Sequence, residues 1–135
     1  MADVLRTETL PIQASSDVVL VRQAVRTLAS EIGLTLVDQT KIVTAASELA
    51  RNTLDHGKGG QVRVELVKND VRSGLRLVFE DTGPGIKDIA LAMTDGYTTG
   101  GGLGLGLSGS KRLVHDFDID SKPGEGTRIT IVRWK

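Results

Sequence analysis

The apolar positions of the chain fall into two periods. Val18, Val21, Val25, Leu28, Ala29 and Ile32 recur every three to four residues and predict a helix over 18–32. Ser15, Ser16 and Asp17 offer caps at its start, and Gly33 closes it. After a short apolar link over 34–37, Asp38 is placed to cap a second helix through Ile42, Val43, Ala46, Leu49 and Ala50. That helix ends at Asp55-His56-Gly57, where His56 would favour the C-terminus as a cation. Alternation of period two marks strands over 4–12, 61–67, 74–80, 117–121 and 127–134. Pro11 makes the first of these an edge strand. The polar stretch 68–73 joins the second and third as a hairpin, and Lys122-Pro123-Gly124-Glu125-Gly126 turns between the last two. A short helix fits 86–93, and a longer one fits 107–115. The order is strand, two helices, two strands, loop, helix, two strands. It predicts an α+β fold, a two-layer α/β sandwich with helices on one face of a mainly antiparallel or mixed sheet. One domain over 1–135 is expected.

Composition narrows the possible partners. Seventeen basic and seventeen acidic residues cancel, so no basic face suggests nucleic acid and no polybasic patch suggests a membrane surface. Four aromatic residues (one Trp, one Tyr, two Phe) leave little for base stacking. The absence of cysteine excludes disulfides and thiolate metal sites, and His56 and His115 are too isolated to form a zinc site. No apolar run reaches transmembrane length and Met1-Ala2-Asp3 does not begin a signal peptide, so a cytoplasmic protein is expected.

The densest chemical signal is the run from Thr98 to Gly109, with six glycines between Gly100 and Gly109. Such a cluster costs backbone entropy, and it suits a loop whose N–H groups approach a ligand, or a hinge. It also leads into a predicted helix, where phosphate is favoured. Gly104 to Gly109 satisfies G-x-G-x-x-G, but no strand precedes it and Gly124 stands where a dinucleotide fold needs an acid. Ser110 separates Gly109 from Lys111, which breaks the P-loop pattern. A phosphate role therefore survives without either familiar fold, beside the plainer reading of a flexible surface loop.

Two further groups carry candidate chemistry. Asp81-Thr82-Gly83-Pro84-Gly85 follows a strand ending in Phe79, and a carboxylate there needs a polar partner such as a ligand amino group, or else simply starts a turn. Glu48 and Asn52 lie four apart on one face of the second helix. They suit a magnesium ion or an oriented nucleophile, or else a solvated face with Arg51 nearby.

Taken in order, Glu48…Asn52, Asp81-Thr82-Gly83-Pro84-Gly85, Gly102-Leu103-Gly104-Leu105-Gly106 and Gly126-Thr127 resemble the N, G1, G2 and G3 boxes of the GHKL (Bergerat) ATP-binding superfamily. Joint occurrence in order is far more specific than any single box, and the resemblance covers nearly the whole chain. Ser47-Glu48-Leu49-Ala50-Arg51-Asn52 and Glu80-Asp81-Thr82-Gly83-Pro84-Gly85-Ile86 are most similar to the anti-sigma-factor serine kinases, in particular the RsbT-type stressosome switch kinases.

The resemblance implies roles. Asp81 would accept a hydrogen bond from the adenine amino group, Gly83 would belong to the same ATP site, Gly85 would let the base pack close to the backbone, and Thr127 would help hold the base through water. Asn52 would bind Mg2+ bridging the phosphates of ATP, and Glu48 would be the general base. Gly102, Leu103, Gly104, Leu105 and Gly106 would cover the phosphates as a lid, with Thr98 and Thr99 offering hydroxyls. The implied activity is a serine/threonine protein kinase acting on a STAS-domain partner and, after release, activating a PP2C-type phosphatase. The alternative is an ATP-gated, anti-sigma-like binding module with little catalysis. A purely structural scaffold would leave the glycines unexplained. No arginine stands out to stabilise the transferred phosphoryl group; Lys111 and Arg112 are the candidates.

Overall fold

The computed structural model describes residues 3–94 and 106–135. The elements are β1 (Asp3–Ile12), α1 (Ser15–Glu31), α2 (Leu36–Asp55), β2 (Gly60–Lys68), β3 (Ser73–Asp81), α3 (Ile89–Ala92), α4 (Gly106–Arg112), β4 (Asp116–Ser121) and β5 (Thr127–Trp134). The strands form one five-stranded sheet in the order β1-β2-β3-β5-β4. All four pairings are antiparallel, which resolves the choice between antiparallel and mixed that the sequence leaves open.

Period two decides which side of the sheet is covered. Val62, Val64, Leu75, Leu77, Phe79 and Ile131 point to one face and join a core with Val21, Val25, Ile42 and Leu49 from α1 and α2. The other face carries an ion ladder. Glu65 accepts from Arg76 at 2.6 Å and from Arg63 at 3.3 Å, and Arg63 reaches Glu80 at 3.4 Å. Val67, Val78 and Val132 also lie on this second face and are nonetheless buried. There the Trp134 ring lies across Gly74, the cross-strand neighbour of Val67.

The helix starts differ from the sequence reading. At α1 the cap is Asp17, at the third helical position, whose carboxylate accepts the N–H groups of Gln13 (2.8 Å) and Ala14 (3.1 Å). Ser15 and Ser16 lie inside the helix. At α2 the cap is Thr35, whose hydroxyl accepts the N–H of Asp38 at 3.2 Å. That frees the Asp38 carboxylate, which meets Arg133 of β5 at 2.6 Å. The helix expected over 107–115 stops at Arg112, because the N–H of Leu113 turns back to Ser110 and that of His115 already pairs with Val132 of β5.

Candidate functional site

A cleft of about 610 Å3 opens between the C-terminal half of α2, the end of β3, the start of β5, and the helices α3 and α4. Its size suits a small-molecule ligand. α2 buries its apolar face on the sheet and turns Glu48, Arg51 and Asn52 to the cleft. Glu48 is only 6 % exposed. Among the described residues it makes no hydrogen bond or ion pair. A buried carboxylate without a partner is costly, and this one is tolerable because Glu48 stands on the cleft wall.

The other end of the cleft is built around Asp81. Its Oδ1 accepts the N–H of Gly83 at 2.9 Å. Burial pushes its carboxyl pKa up, and hydrogen bonds from the backbone N–H groups of Gly83 and Thr127 oppose that shift without cancelling it. Three glycines make room for it. A Cβ on Gly57 would overlap the Asp81 carboxyl group, one on Gly83 would press on the backbone of Gly57, and one on Gly126 would overlap the Asp81 carbonyl. Gly126 also has φ +84°, which favours glycine on its own account.

The loop after Asp81 is bolted to the β4–β5 turn. Gly85 has φ +74°, and a Cβ there would overlap the carbonyl oxygen of Lys122. The N–H of Gly124 donates to the Pro84 carbonyl at 2.7 Å. Ser121, at the end of β4, accepts the N–H of Ile86 at 2.8 Å and lies 2.8 Å from the Thr127 hydroxyl.

The fold therefore brings Glu48, Asn52, Asp81, Gly85, Gly106 and Thr127 onto one cleft, from positions up to 79 residues apart. Gly83 does not line it and serves instead through its N–H on Asp81. Thr98, Thr99, Gly102, Leu103, Gly104 and Leu105 lie outside the described residues. Lys111 and Arg112, in the last turn of α4, are not among the described residues that line the cleft. Arg51 and Lys87 do line it; the sequence reading placed Arg51 only on a solvated helix face and did not single out Lys87. It also passed over Gly57 and Ser121, whose contacts are made across the fold and carry no local signature.

Cleft, sheet and glycine-bracketed aspartate together define an ATPase-type nucleotide fold. Residues 37–135 match the family described as histidine kinase-, DNA gyrase B-, and HSP90-like ATPase, and the chain belongs to it. It is 48% identical over 118 residues to the serine/threonine-protein kinase RsbT of Bacillus subtilis (strain 168), covering 87% of this chain and 89% of that protein. It is 30% identical over 117 residues to an anti-sigma F factor of Clostridium novyi (strain NT), covering 80% of this chain and 79% of the relative. Among solved structures, the RsbU and RsbW domains of Rv1364c from Mycobacterium tuberculosis superpose with a TM-score of 0.66 at 23% identity. That match covers 96% of this chain and 33% of the other, and it speaks for the fold alone. Family and relatives support an enzyme of the kinase type.

Proposed function

We propose that this chain is an ATP- and Mg2+-dependent serine/threonine protein kinase that phosphorylates a STAS-domain partner in the cytoplasm. In this reading it acts as a switch, and once released from that partner it activates a PP2C-type phosphatase. The observation that carries the reading is Glu48: a buried carboxylate facing the cleft, unpaired among the described residues, one helical turn from Asn52. A general base needs that freedom. A partner-switching role is favoured by the RsbT and anti-sigma F factor relatives.

Asp81 accepts the adenine amino group, Gly83 and Gly85 shape the loop under the base, and Thr127 helps hold it. The serine or threonine hydroxyl oxygen attacks the terminal phosphorus while Glu48 takes its proton. The bond from that phosphorus to the bridging oxygen breaks, and ADP leaves with the electron pair. The described residues hold no cluster of three His, Cys, Asp or Glu able to cage a metal. Mg2+ would be held through the Asn52 amide oxygen, on the cleft wall one helical turn from Glu48. When bound, the ion supplies charge neutralisation across the phosphates. By the resemblance, Thr98 and Thr99 would offer hydroxyls to the phosphates, and Gly102, Leu103, Gly104, Leu105 and Gly106 would cover them.

The anti-sigma F factors among the relatives favour a second reading, an ATP-gated module that holds or releases a regulator with little turnover. No helix among the described residues is long and apolar enough to cross a membrane. Incubating the protein with labelled ATP, Mg2+ and purified STAS-domain proteins, then mapping the modified residue, tests the kinase reading. Phosphoserine or phosphothreonine on one STAS protein is expected. Nucleotide-dependent binding without transfer would favour the module instead.

A further inference from the structure

We propose that Arg51 is a catalytic residue of this cleft, its guanidinium meeting the terminal phosphate of ATP. The proposal rests on the kinase reading above and adds to it the cation that the sequence leaves unassigned. Arg51 lies three residues from Glu48 and next to Asn52 on α2, and all three line the cleft. Glutamate and arginine at that spacing commonly pair on a helix. Here they do not: among the described residues, Arg51 makes a long hydrogen bond, 3.4 Å, to the Ser15 hydroxyl at the exposed start of α1. Base and cation thus stand on one helical turn without neutralising each other.

The charge of the ligand requires such a group. Glu48, Asp55, Asp81 and Asp88 put four carboxylates on the cleft wall, against which a triphosphate would be repelled. Lys87 follows Gly85 and Ile86, in the loop under the proposed base position, and precedes the cap of α3. Arg51 sits instead beside the residues assigned to magnesium and proton transfer. A guanidinium offers a planar fork of donors matched to phosphate oxygens and stays protonated throughout. As the hydroxyl oxygen bonds to phosphorus and the bridging P–O bond breaks, Glu48 carries the proton. Arg51 changes no bond and stabilises the charge on the transferring oxygens.

Titration with ADP, and with ADP plus beryllium fluoride as a stand-in for the terminal phosphate, tests this. The wild type should bind the fluoride complex more tightly than ADP. Arg51→Ala should keep ADP affinity within about threefold and lose that tightening by about tenfold or more, as expected for a charge-assisted contact. Arg51→Lys should retain part of it, and Arg51→Gln none. If Arg51→Ala does not fold, judged by thermal unfolding, the Lys and Gln variants carry the same comparison. Full tightening in folded Arg51→Gln, or its loss in Lys87→Ala instead, overturns the proposal while leaving the kinase reading intact. Failure of the wild type to bind ADP at all overturns both.

Discussion

Gly57 gives the space of its missing side chain to Asp81: a Cβ on Gly57 would overlap the carboxyl carbon of that aspartate. The end of α2 and the end of β3 thus meet where one residue must be glycine for the other to reach the cleft. Gly57→Ala is expected to push Asp81 out of place. Overpacking of this kind costs about 1–3 kcal/mol. Part of that cost should appear as a lower melting temperature and part as roughly tenfold weaker ATP binding. Calorimetric titration beside thermal unfolding separates the two. ATP affinity equal to wild type in a folded variant would count against Asp81 as the base-reading group.

The raised pKa of Asp81 makes a pH prediction. Burial is the main cause, so the carboxylate takes up its proton at a higher pH than an ordinary aspartate. Because the folded-state pKa is raised, acidification through that range relieves the cost of burying the charge. Any loss of ATP binding there is therefore not acid unfolding driven by this group. Affinity should be flat at neutral pH and fall as Asp81 protonates, beginning above its ordinary value of 3.8. Asp81→Asn should bind ATP roughly ten- to hundredfold more weakly, as for loss of a charge-assisted hydrogen bond. It should also lose that step in the pH profile, and a step of equal size in the variant would assign it to another group.

The strands and helices were legible because each buries one face of the same core. Period two over 127–134 and period 3.6 over 18–32 are direct consequences of that burial. What the pattern hid was made by partners distant in sequence. Asp38 looks like a helix cap until Arg133, 95 residues on, is seen beside it. Val67, Val78 and Val132 are buried on the face that alternation assigns to solvent. In the site, Glu48 and Asp81 could be picked out because their boxes occur in a set order, and the fold puts both on one cleft. That Arg51 lines the same cleft could not be seen, since an arginine one turn from a glutamate reads as a solvated helix face. Ser121 shows no local signal, because its partners Ile86 and Thr127 come from two other segments.

Glu48→Gln keeps the shape and removes the basicity of the group on which the kinase reading turns. Nucleotide affinity should stay within about threefold of wild type, because no described contact of the fold is lost with the charge. Transfer to a STAS-domain acceptor should fall roughly a hundredfold to ten-thousandfold in kcat, the usual worth of a general base. The diagnostic result is a loss in kcat with the KM for ATP unchanged. Undiminished transfer would remove Glu48 from the base role.

Ser121→Ala removes the hydroxyl that joins the loop after Asp81 to the start of β5. The Ile86 N–H loses its 2.8 Å acceptor and Thr127 loses its 2.8 Å neighbour. Each net hydrogen bond is worth about 1 kcal/mol, so a modest fall in stability is expected. The sharper consequence is local. Hydrogen exchange at Ile86 should speed up while the amides of β2 and β3 keep their protection. ATP affinity should weaken severalfold as the loop under the base loosens. Unchanged exchange at Ile86 would mean that the backbone pairing of Gly124 with Pro84 holds the loop by itself.

Arg133 ties the far end of the fold together, and its pairing with Asp38 predicts an acid transition. One guanidinium nitrogen meets Asp38 at 2.6 Å and another donates to the Leu113 carbonyl, just past the end of α4, at 2.9 Å. The Arg133 hydrogen bond is the main cause holding the Asp38 carboxyl below its ordinary pKa, with smaller help from Thr35 and Lys41. A depressed folded-state value means that the stabilisation is complete above the ordinary pKa and is lost as pH falls through the lowered one. Asp38→Asn should therefore melt at a lower temperature than wild type at neutral pH. The gap should narrow on acidification as the wild-type carboxylate is protonated. Because Arg133 also holds the Leu113 carbonyl, Arg133→Met should free the end of α4 as well and lower the melting temperature further. Melting curves for the three proteins between pH 7 and pH 3 decide the matter, and a gap that widened with acid would reverse the sign argued here.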